Sequence, residues 1–245
     1  IGERKIVYRQ SEIERLEENA NTGVLDMEKV RERVAIRDKE LTKATGLESW
    51  QRKKIKELLY QLQKGDPRVR VSARDQLVAL QKEMDVYKFL EFSIEELSHR
   101  LSPWVLEAMF YVDGARALKL LPQFIQHEYY GTRAKAIELM ALARLSTKQS
   151  LIARGLVDSA SDVRTAAMYA LGSFGAKHAT PALIEMLGHT DVYSKSASRI
   201  VLEAMWKKDL GQNPPPEGAD SWAAFWADRS AGFSQKINLA NLKPF

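Results

Sequence analysis

The residues able to do chemistry are few and badly placed for it. Cysteine is absent, which excludes disulfides, thiol catalysis and cysteine-ligated metal. Four histidines occur, His99, His127, His178 and His189. None forms a His-Glu-x-x-His pair and none falls at metal-ligand spacing. His178 and His189 read as polar residues in or beside loops. Gly172-Ser173-Phe174-Gly175-Ala176-Lys177 has the glycines of a phosphate loop but neither its length nor its Lys-Ser/Thr ending. No Gly-x-Ser-x-Gly is present, nor a strand pattern to carry one. Glutamates sit among lysines and arginines on helical stretches, and no pair of carboxylates is forced together. The expectation is a chain with no catalytic residue, metal or cofactor, and no enzymatic activity.

The elements that would position any site are helices. Of 245 residues, 45% are apolar and 28% charged, the balance of a folded protein. No run approaches the ~18 apolar residues of a membrane span. The net charge of +5 arises from 37 basic and 32 acidic residues, so the surface is mixed in sign. The densest basic cluster, Arg52, Lys53, Lys54 and Lys56, reads as a solvated helix face. The chain starts at Ile1 rather than Met, so a processed or cut chain is expected, and a leader or anchor could have preceded it. Compartment is open between a bacterial cytoplasm and a cell envelope, the lack of cysteine leaning towards the envelope.

Charge density changes along the chain. Among residues 1–64, 27 are charged; among the remaining 181, 42 are. In the first part Ile13, Ala20, Met27, Val34 and Leu41 recur every seven residues, with Leu16, Val30 and Ala44 three positions after members of that row. This makes an apolar helical stripe, interrupted by a turn at Asn19, Asn21, Thr22 and Gly23. Two readings stand: a coiled coil that self-associates through residues 11–44, or helices packing their stripe onto the rest of the protein. Gly23 and Arg37 at core-type positions favour the second.

From residue 50 the sequence repeats. Asp162-Val163-Arg164-Thr165-Ala166-Ala167 runs into Leu171-Gly172 and then Pro181-Ala182-Leu183-Ile184. Asp66-Pro67-Arg68-Val69-Arg70 opens in the same way, and Gly131-Thr132-Arg133-Ala134-Lys135-Ala136 is a third copy. Ser102-Pro103-Trp104-Val105 and Asp191-Val192-Tyr193-Ser194 fill the series. With Arg70, Val105, Arg133, Arg164 and Ser194 equivalent, the spacings are 35, 28, 31 and 30. Ala73, Ala108, Ala136, Ala167 and Ala197 then all fall three positions later, where a small side chain lets two helices approach closely. Self-similarity at this period marks a solenoid of helical hairpins. Asp66, Asp162 and Asp191 are placed to cap helix N-termini. Gly172 and Gly175 are placed to end a helix, and Pro67, Pro103 and Pro181 to start one.

The pattern Asp-x-Val-Arg-x-x-Ala, then Leu-Gly, then Pro-Ala-Leu-Ile-x-x-Leu, resembles HEAT repeats of the bacterial type over roughly residues 50–206, most closely at 159–206. The resemblance implies an all-α, right-handed superhelix of about five hairpins. First helices are expected near 50–63, 86–97, 114–126, 148–158 and 179–188. Second helices, lining a concave face, are expected near 67–81, 102–112, 130–144, 162–174 and 191–206. It also implies a polar ladder joining Asp66, Asp162 and Asp191 to Arg70, Arg133 and Arg164, broken where Val105 and Ser194 replace arginine. The organisation read from this is a charged helical extension at 1–49, the repeats at 50–206, and a loop, capping helix and tail at 207–245. In the last part, Gly211 to Gly218 contains three prolines and is a loop. Trp222 and Trp226, one turn apart, are expected to cover the end of the stack. The tail from Phe233, with Ile237, Leu239, Leu242 and Phe245, either packs back or docks on a partner.

Positions one, four and five after each arginine should face the concave side. The expected partner-binding residues at four and five are Arg74, Asp75, Met109, Phe110, Ile137, Glu138, Met168, Tyr169, Ser198 and Arg199. A rotation by one residue would turn Met109 and Met168 into core. The function the resemblance implies is a protein–protein scaffold or adaptor. The alternatives are nucleic-acid binding, which needs Arg52, Lys53, Lys54, Lys56, Arg70 and Arg74 to converge, and a lyase-associated role like that of HEAT-type bilin lyases.

Overall fold

The computed structural model describes residues 27–96 and 100–244. These form twelve α-helices and no strand. The chain divides into two compact units, Ile1–Ala117 and Leu118–Phe245. That division follows contacts within the fold. The segments 1–49, 50–206 and 207–245 follow sequence pattern and are a different partition.

The first unit contains α1 (Met27–Thr45), α2 (Ser49–Lys64), α3 (Pro67–Leu80), α4 (Val86–Glu96), α5 (Ser102–Val112) and the start of α6 (Gly114–Phe124). Helix α2 packs on α3, α4 on α5, and α5 also touches α2 and α3. Ile55, Leu59, Leu77, Tyr87, Leu90 and Leu106 are fully buried between them. Asp66 starts α3 by accepting from the backbone N–H groups of Arg68 at 2.8 Å and Val69 at 3.0 Å, with Pro67 in the first turn. Of the seven-residue row, Val34 and Leu41 are half-buried on α1, which packs against α4; Ile13, Leu16, Ala20 and the Asn19–Gly23 turn lie outside the described residues.

One residue of the expected basic face is not on it. Arg52 is 3% exposed. It sits three residues before Ile55, on the inward side of α2. Its guanidinium donates to the Thr42 hydroxyl at 2.8 Å and to the Leu47 carbonyl, and pairs with Asp38. Arg52 therefore ties α1 to α2, while Lys53 and Lys54 remain in solvent.

The second unit holds the rest of α6, then α7 (Tyr130–Leu142), α8 (Gln149–Ala153), α9 (Ser161–Ser173), α10 (Thr180–Leu187), α11 (Val192–Leu210) and α12 (Gly218–Ala227). Short 3-10 turns at Ser146–Lys148 and Arg154–Val157 flank α8, so the first helix of this pair is broken into three pieces. Helix α7 packs beside α9 and α9 beside α11; α8 and its following turn back α9, and α10 backs α11. The equivalent alanines Ala73, Ala108, Ala136, Ala167 and Ala197 are all buried. The reason is visible at Gly155, where an added Cβ would lie 2.9 Å from the Ala167 Cβ and 3.0 Å from Ile137 Cδ1. Gly172, expected to end a helix, is inside α9 instead. A Cβ there would sit 2.8 Å from Val201 Cγ1, so glycine is what lets α11 close on α9. The chain turns out of α9 at Gly175, with φ +63.

The polar ladder exists in this unit, with one changed partner. Arg133 makes a two-pronged pair with Asp158, both N–O distances 2.8 Å, and its Nη1 donates to the carbonyls of His127 and Glu128. Asp162, the expected acid, is exposed in the first turn of α9 and caps nothing. The loop before α9 is long enough to turn Asp158 inward, where it also accepts from the Ala160 N–H. Arg164 donates to Asp191 at 2.8 Å, to the Ser194 hydroxyl at 2.9 Å, and to the carbonyls of Asp158 and Ser159. Ser194 does not break this rung. Its hydroxyl accepts from Arg164 and donates to Asp191 at 2.6 Å. That hydroxyl above all, then Arg164 and the backbone N–H groups of Ser194 and Tyr193, holds the Asp191 carboxyl well below the ordinary carboxylate range.

The end of the unit is closed by aromatic residues. Trp222 is fully buried and Trp226 nearly so, on a helix that packs against α10. Trp206 meets Phe225, Trp226 and Phe233 edge-to-face, with centroids 5.3, 6.1 and 6.4 Å apart. Its indole N–H donates to Thr180 Oγ1 at 2.9 Å. The tail packs back. Ile237 donates to the His178 carbonyl and its own carbonyl accepts from Ala182, an N–H of the first turn of α10 with no partner inside the helix. Arg154 holds the carbonyls of Lys243 and Pro244.

Candidate functional site

The second helices turn one face to solvent, and its depth is set by the residues between them. Arg133–Asp158 and Arg164–Asp191 fasten α7, α9 and α11 together at their N-terminal ends, so the three helices run in the same direction. On α7, α9 and α11, positions three, four and seven after Arg133, Arg164 and Ser194 are buried. Position five points out. The structure therefore divides the ten expected binding residues in two. Met109, Ile137, Met168 and Ser198, all at position four, are fully buried. One residue is a rotation of about 100° on a helix, and it turns that row into the core, where Ile137 lies against Gly155 of the following repeat. Ser198 even donates its hydroxyl to the Leu183 carbonyl, inside the α10–α11 pair. These four are core and cannot contact a partner.

The position-five residues do reach the surface. Glu138, Tyr169 and Arg199 are exposed on α7, α9 and α11. Glu138 pairs with Lys135 at 2.8 Å, and Arg199 lies 3.9 Å from Glu203. In the first unit Asp75 is exposed and Phe110 half-buried, edge-on to Tyr111. Arg74, at position four there, is half-buried rather than core, because its guanidinium turns out to Asp75 at 2.9 Å and lies over the Tyr111 ring at 5.0 Å. The Asp75 hydrogen bond raises its already high pKa.

Between α7 and α9 the face opens into a trough of about 810 Å³. Its floor is alanine: Ala134, Ala166 and Ala170 are nearly buried, with Ala141 beside them. Leu142 on one wall and Tyr169 on the other are 60% and 46% exposed, unusually bare for residues of their size. Lys135, Glu138, Thr165, Asp162 and Arg144 also line it, with Gly131 and Ser173. Sequence spacing had marked Tyr169 and Glu138. It marks Asp162 only as a cap and ladder acid, not as part of a binding face, and gives no reason to single out Leu142 or Arg144, which lie at the end of α7 beyond the repeating positions.

Among the described residues no three histidines or carboxylates cluster as metal ligands, and no helix is long and apolar enough to cross a membrane. Two histidines act in turns instead: His127 Nδ1 accepts from the Tyr129 N–H and His189 Nδ1 from the Asp191 N–H, each at 3.0 Å. His178 is half-buried beside a second, polar cleft of about 330 Å³ under the tail, lined by Ser146, Thr147, Ser150, Ser234 and Gln235. Burial pushes its pKa down.

No curated protein matches the chain. A family model does match, that of HEAT repeats, over residues 117–203. This stretch runs from α6 into α11 and contains both arginine rungs and the trough. HEAT repeats are typically protein-interaction scaffolds, and the fold is generally non-enzymatic. The all-α hairpins, the close-packed alanines and the arginine–aspartate rungs agree with that match, so residues 117–203 are similar to HEAT repeats in both sequence and fold.

Proposed function

We propose that the protein is a non-catalytic scaffold that holds a segment of another protein against α7 and α9. The observation that carries this reading is the trough itself, with a bare Leu142 and Tyr169 over an alanine floor and charges of both signs around it. An apolar centre with a polar rim is how interfaces are commonly built. Alanine floors suit a bound backbone, because nothing projects to hold it off. Glu138 and Arg199 extend the face on either side of Tyr169.

Two surface substitutions test it. Leu142→Ser and Tyr169→Glu change exposed side chains, so the fold and its melting temperature should be retained. Each should abolish capture of the protein that the intact chain retains from native extract. Retention of the same protein by both variants would place binding elsewhere and overturn the reading.

A further inference from the structure

The two ends of the trough carry opposite charges. Asp162 lies at one end, beside Gly131, in the first turn of α9. Arg144 lies at the other, past the end of α7 and level with Ser173. Neither forms a side-chain hydrogen bond or an ion pair among the described residues. The remaining charges differ in this respect, since Lys135 and Glu138 neutralise each other across one helical turn. Arg144 is also held in an unusual conformation. It is the one described non-glycine residue with positive φ, at 54°, and its backbone N–H donates to the Ala141 carbonyl. A left-handed residue here stops α7 and turns the arginine onto the mouth of the trough, a geometry that asparagine or glycine would adopt more easily.

We infer that the occupant is an extended, bipolar peptide segment: a basic side chain at Asp162, an aliphatic side chain on the alanine floor between Leu142 and Tyr169, and a side-chain carboxylate at Arg144. The inference rests on the scaffold reading and gives its partner a chemistry. Spacing follows from the helices. Gly131 to Leu142 and Asp162 to Ser173 each span eleven residues, so the charged ends are about 16 Å apart at 1.5 Å per residue. An extended chain covers that distance in about five residues, and because alternate side chains share a face, the two charges and the side chain between them meet the trough together at a separation of four, the reach of the long charged side chains covering the rest. Because the charges lie at the two ends, the segment can run in either direction so long as the opposite charges are four residues apart on one face. A uniformly acidic or uniformly basic partner meets one matching end and one repelling end.

The test uses four Gly/Ser peptides of eleven residues. Each has one central leucine, flanked two residues before and two residues after by Lys and Glu, by Lys and Lys, by Glu and Glu, or by Gln and Gln, so that all three side chains share one face. Binding is read from the methyl resonances of Ala134, Ala166 and Ala170 in the intact protein, which report the trough and no other surface. The Lys/Glu peptide should bind about threefold to tenfold more tightly than either like-charged peptide, the range of two exposed ion pairs. Charge reversal at one end should then change the ranking. Arg144→Glu should favour Lys/Lys, and Asp162→Lys should favour Glu/Glu. Asp162→Asn, which removes the charge alone, should narrow the gap between Lys/Glu and Glu/Glu. The inference is overturned if none of the peptides moves those methyls, or if the ranking stays the same in all three variants. Equal binding of all four peptides would remove the charge pattern while leaving an apolar trough, and the extract experiment above then decides the scaffold reading separately.

Discussion

Arg70 in the first unit and Arg133 and Arg164 in the second occupy the same place in the repeat, yet they do different work. All three reach back to carbonyls just before their own helix: Gln63 in the last turn of α2 and Gly65 for Arg70, His127 and Glu128 for Arg133, Asp158 and Ser159 for Arg164. They differ in what the next repeat offers. Arg133 and Arg164 meet the carboxylates of Asp158 and Asp191. Arg70 meets the ring of Trp104, its guanidinium carbon 4.9 Å from the centroid, and stays exposed. The shared job is to satisfy loop carbonyls. The ion pair is added only where the following loop turns an aspartate inward, and it is this pair that fastens the two walls of the trough.

The comparison breaks most visibly at Arg133. Asp158 keeps only 3% of its side chain exposed. Arg133→Ala leaves that carboxylate buried without its counter-charge, and losing one partner of a buried pair costs about 3–5 kcal/mol. Urea unfolding of the variant should show this loss, together with weaker occupation of the trough, since α7 and α9 lose their shared anchor. Replacing both members, Arg133→Met with Asp158→Leu, should recover much of the stability, because the unpaired charge and not the missing attraction is the main cost.

Next in size is the close packing that goes with the rungs. Gly155→Ala sets a methyl 2.9 Å from the Ala167 Cβ, an atom fixed to the α9 backbone that cannot swing aside. Overpacking of this kind costs about 1–3 kcal/mol. A differential scan should show a lower melting temperature. An unchanged one would mean that α8 and its turn can shift freely against α9.

A smaller effect separates Ser194 from the arginine it replaces in the repeat. The folded protein keeps Asp191 ionised below its ordinary value of 3.8, chiefly through the Ser194 hydroxyl. The folded pKa is depressed, so this contribution is complete above about pH 4 and fades as the pH falls further. Ser194→Ala raises the folded pKa towards the unfolded one. Its deficit in melting temperature against the natural protein should be full at pH 7 and shrink below about pH 4. A deficit constant across that range would mean that Ser194 acts through packing alone.

These contrasts also explain how much was legible in the sequence. The hairpins could be placed because their ends are marked by local chemistry: Asp66 and Asp191 cap, Pro67, Pro103 and Pro181 start helices, and the buried alanines recur in register. The rotation of each second helix was not legible. Spacing fixes which residues are equivalent, but not which of two adjacent rows turns inward, so it puts Met109, Ile137, Met168 and Ser198 on the exposed side where the structure buries them. The partner of Arg133 was hidden for a related reason. Asp158 and Asp162 are four residues apart, and only the path of the loop decides which turns inward. Arg52 looked like one of four surface bases, yet its neighbour Ile55 faces the core and takes it along.

The smallest expected effect is the one that sharpens the comparison most. Arg70→Ala removes a cation–π contact at an exposed site and two hydrogen bonds to carbonyls that water can reach. An exposed cation–π contact contributes about 0.5–1 kcal/mol, and solvent replaces the hydrogen bonds. The loss on urea unfolding should therefore stay near 1 kcal/mol, several-fold below that of Arg133→Ala. Arg70→Lys keeps a cation near the Trp104 ring but cannot reach the Gly65 and Gln63 carbonyls with a planar fork. If that variant is as stable as the natural protein, the ring contact dominates at this position. If Arg70→Ala instead costs as much as Arg133→Ala, the loop carbonyls carry the energy in both units, and the carboxylates of the second unit serve to choose which helices lie together rather than to hold them.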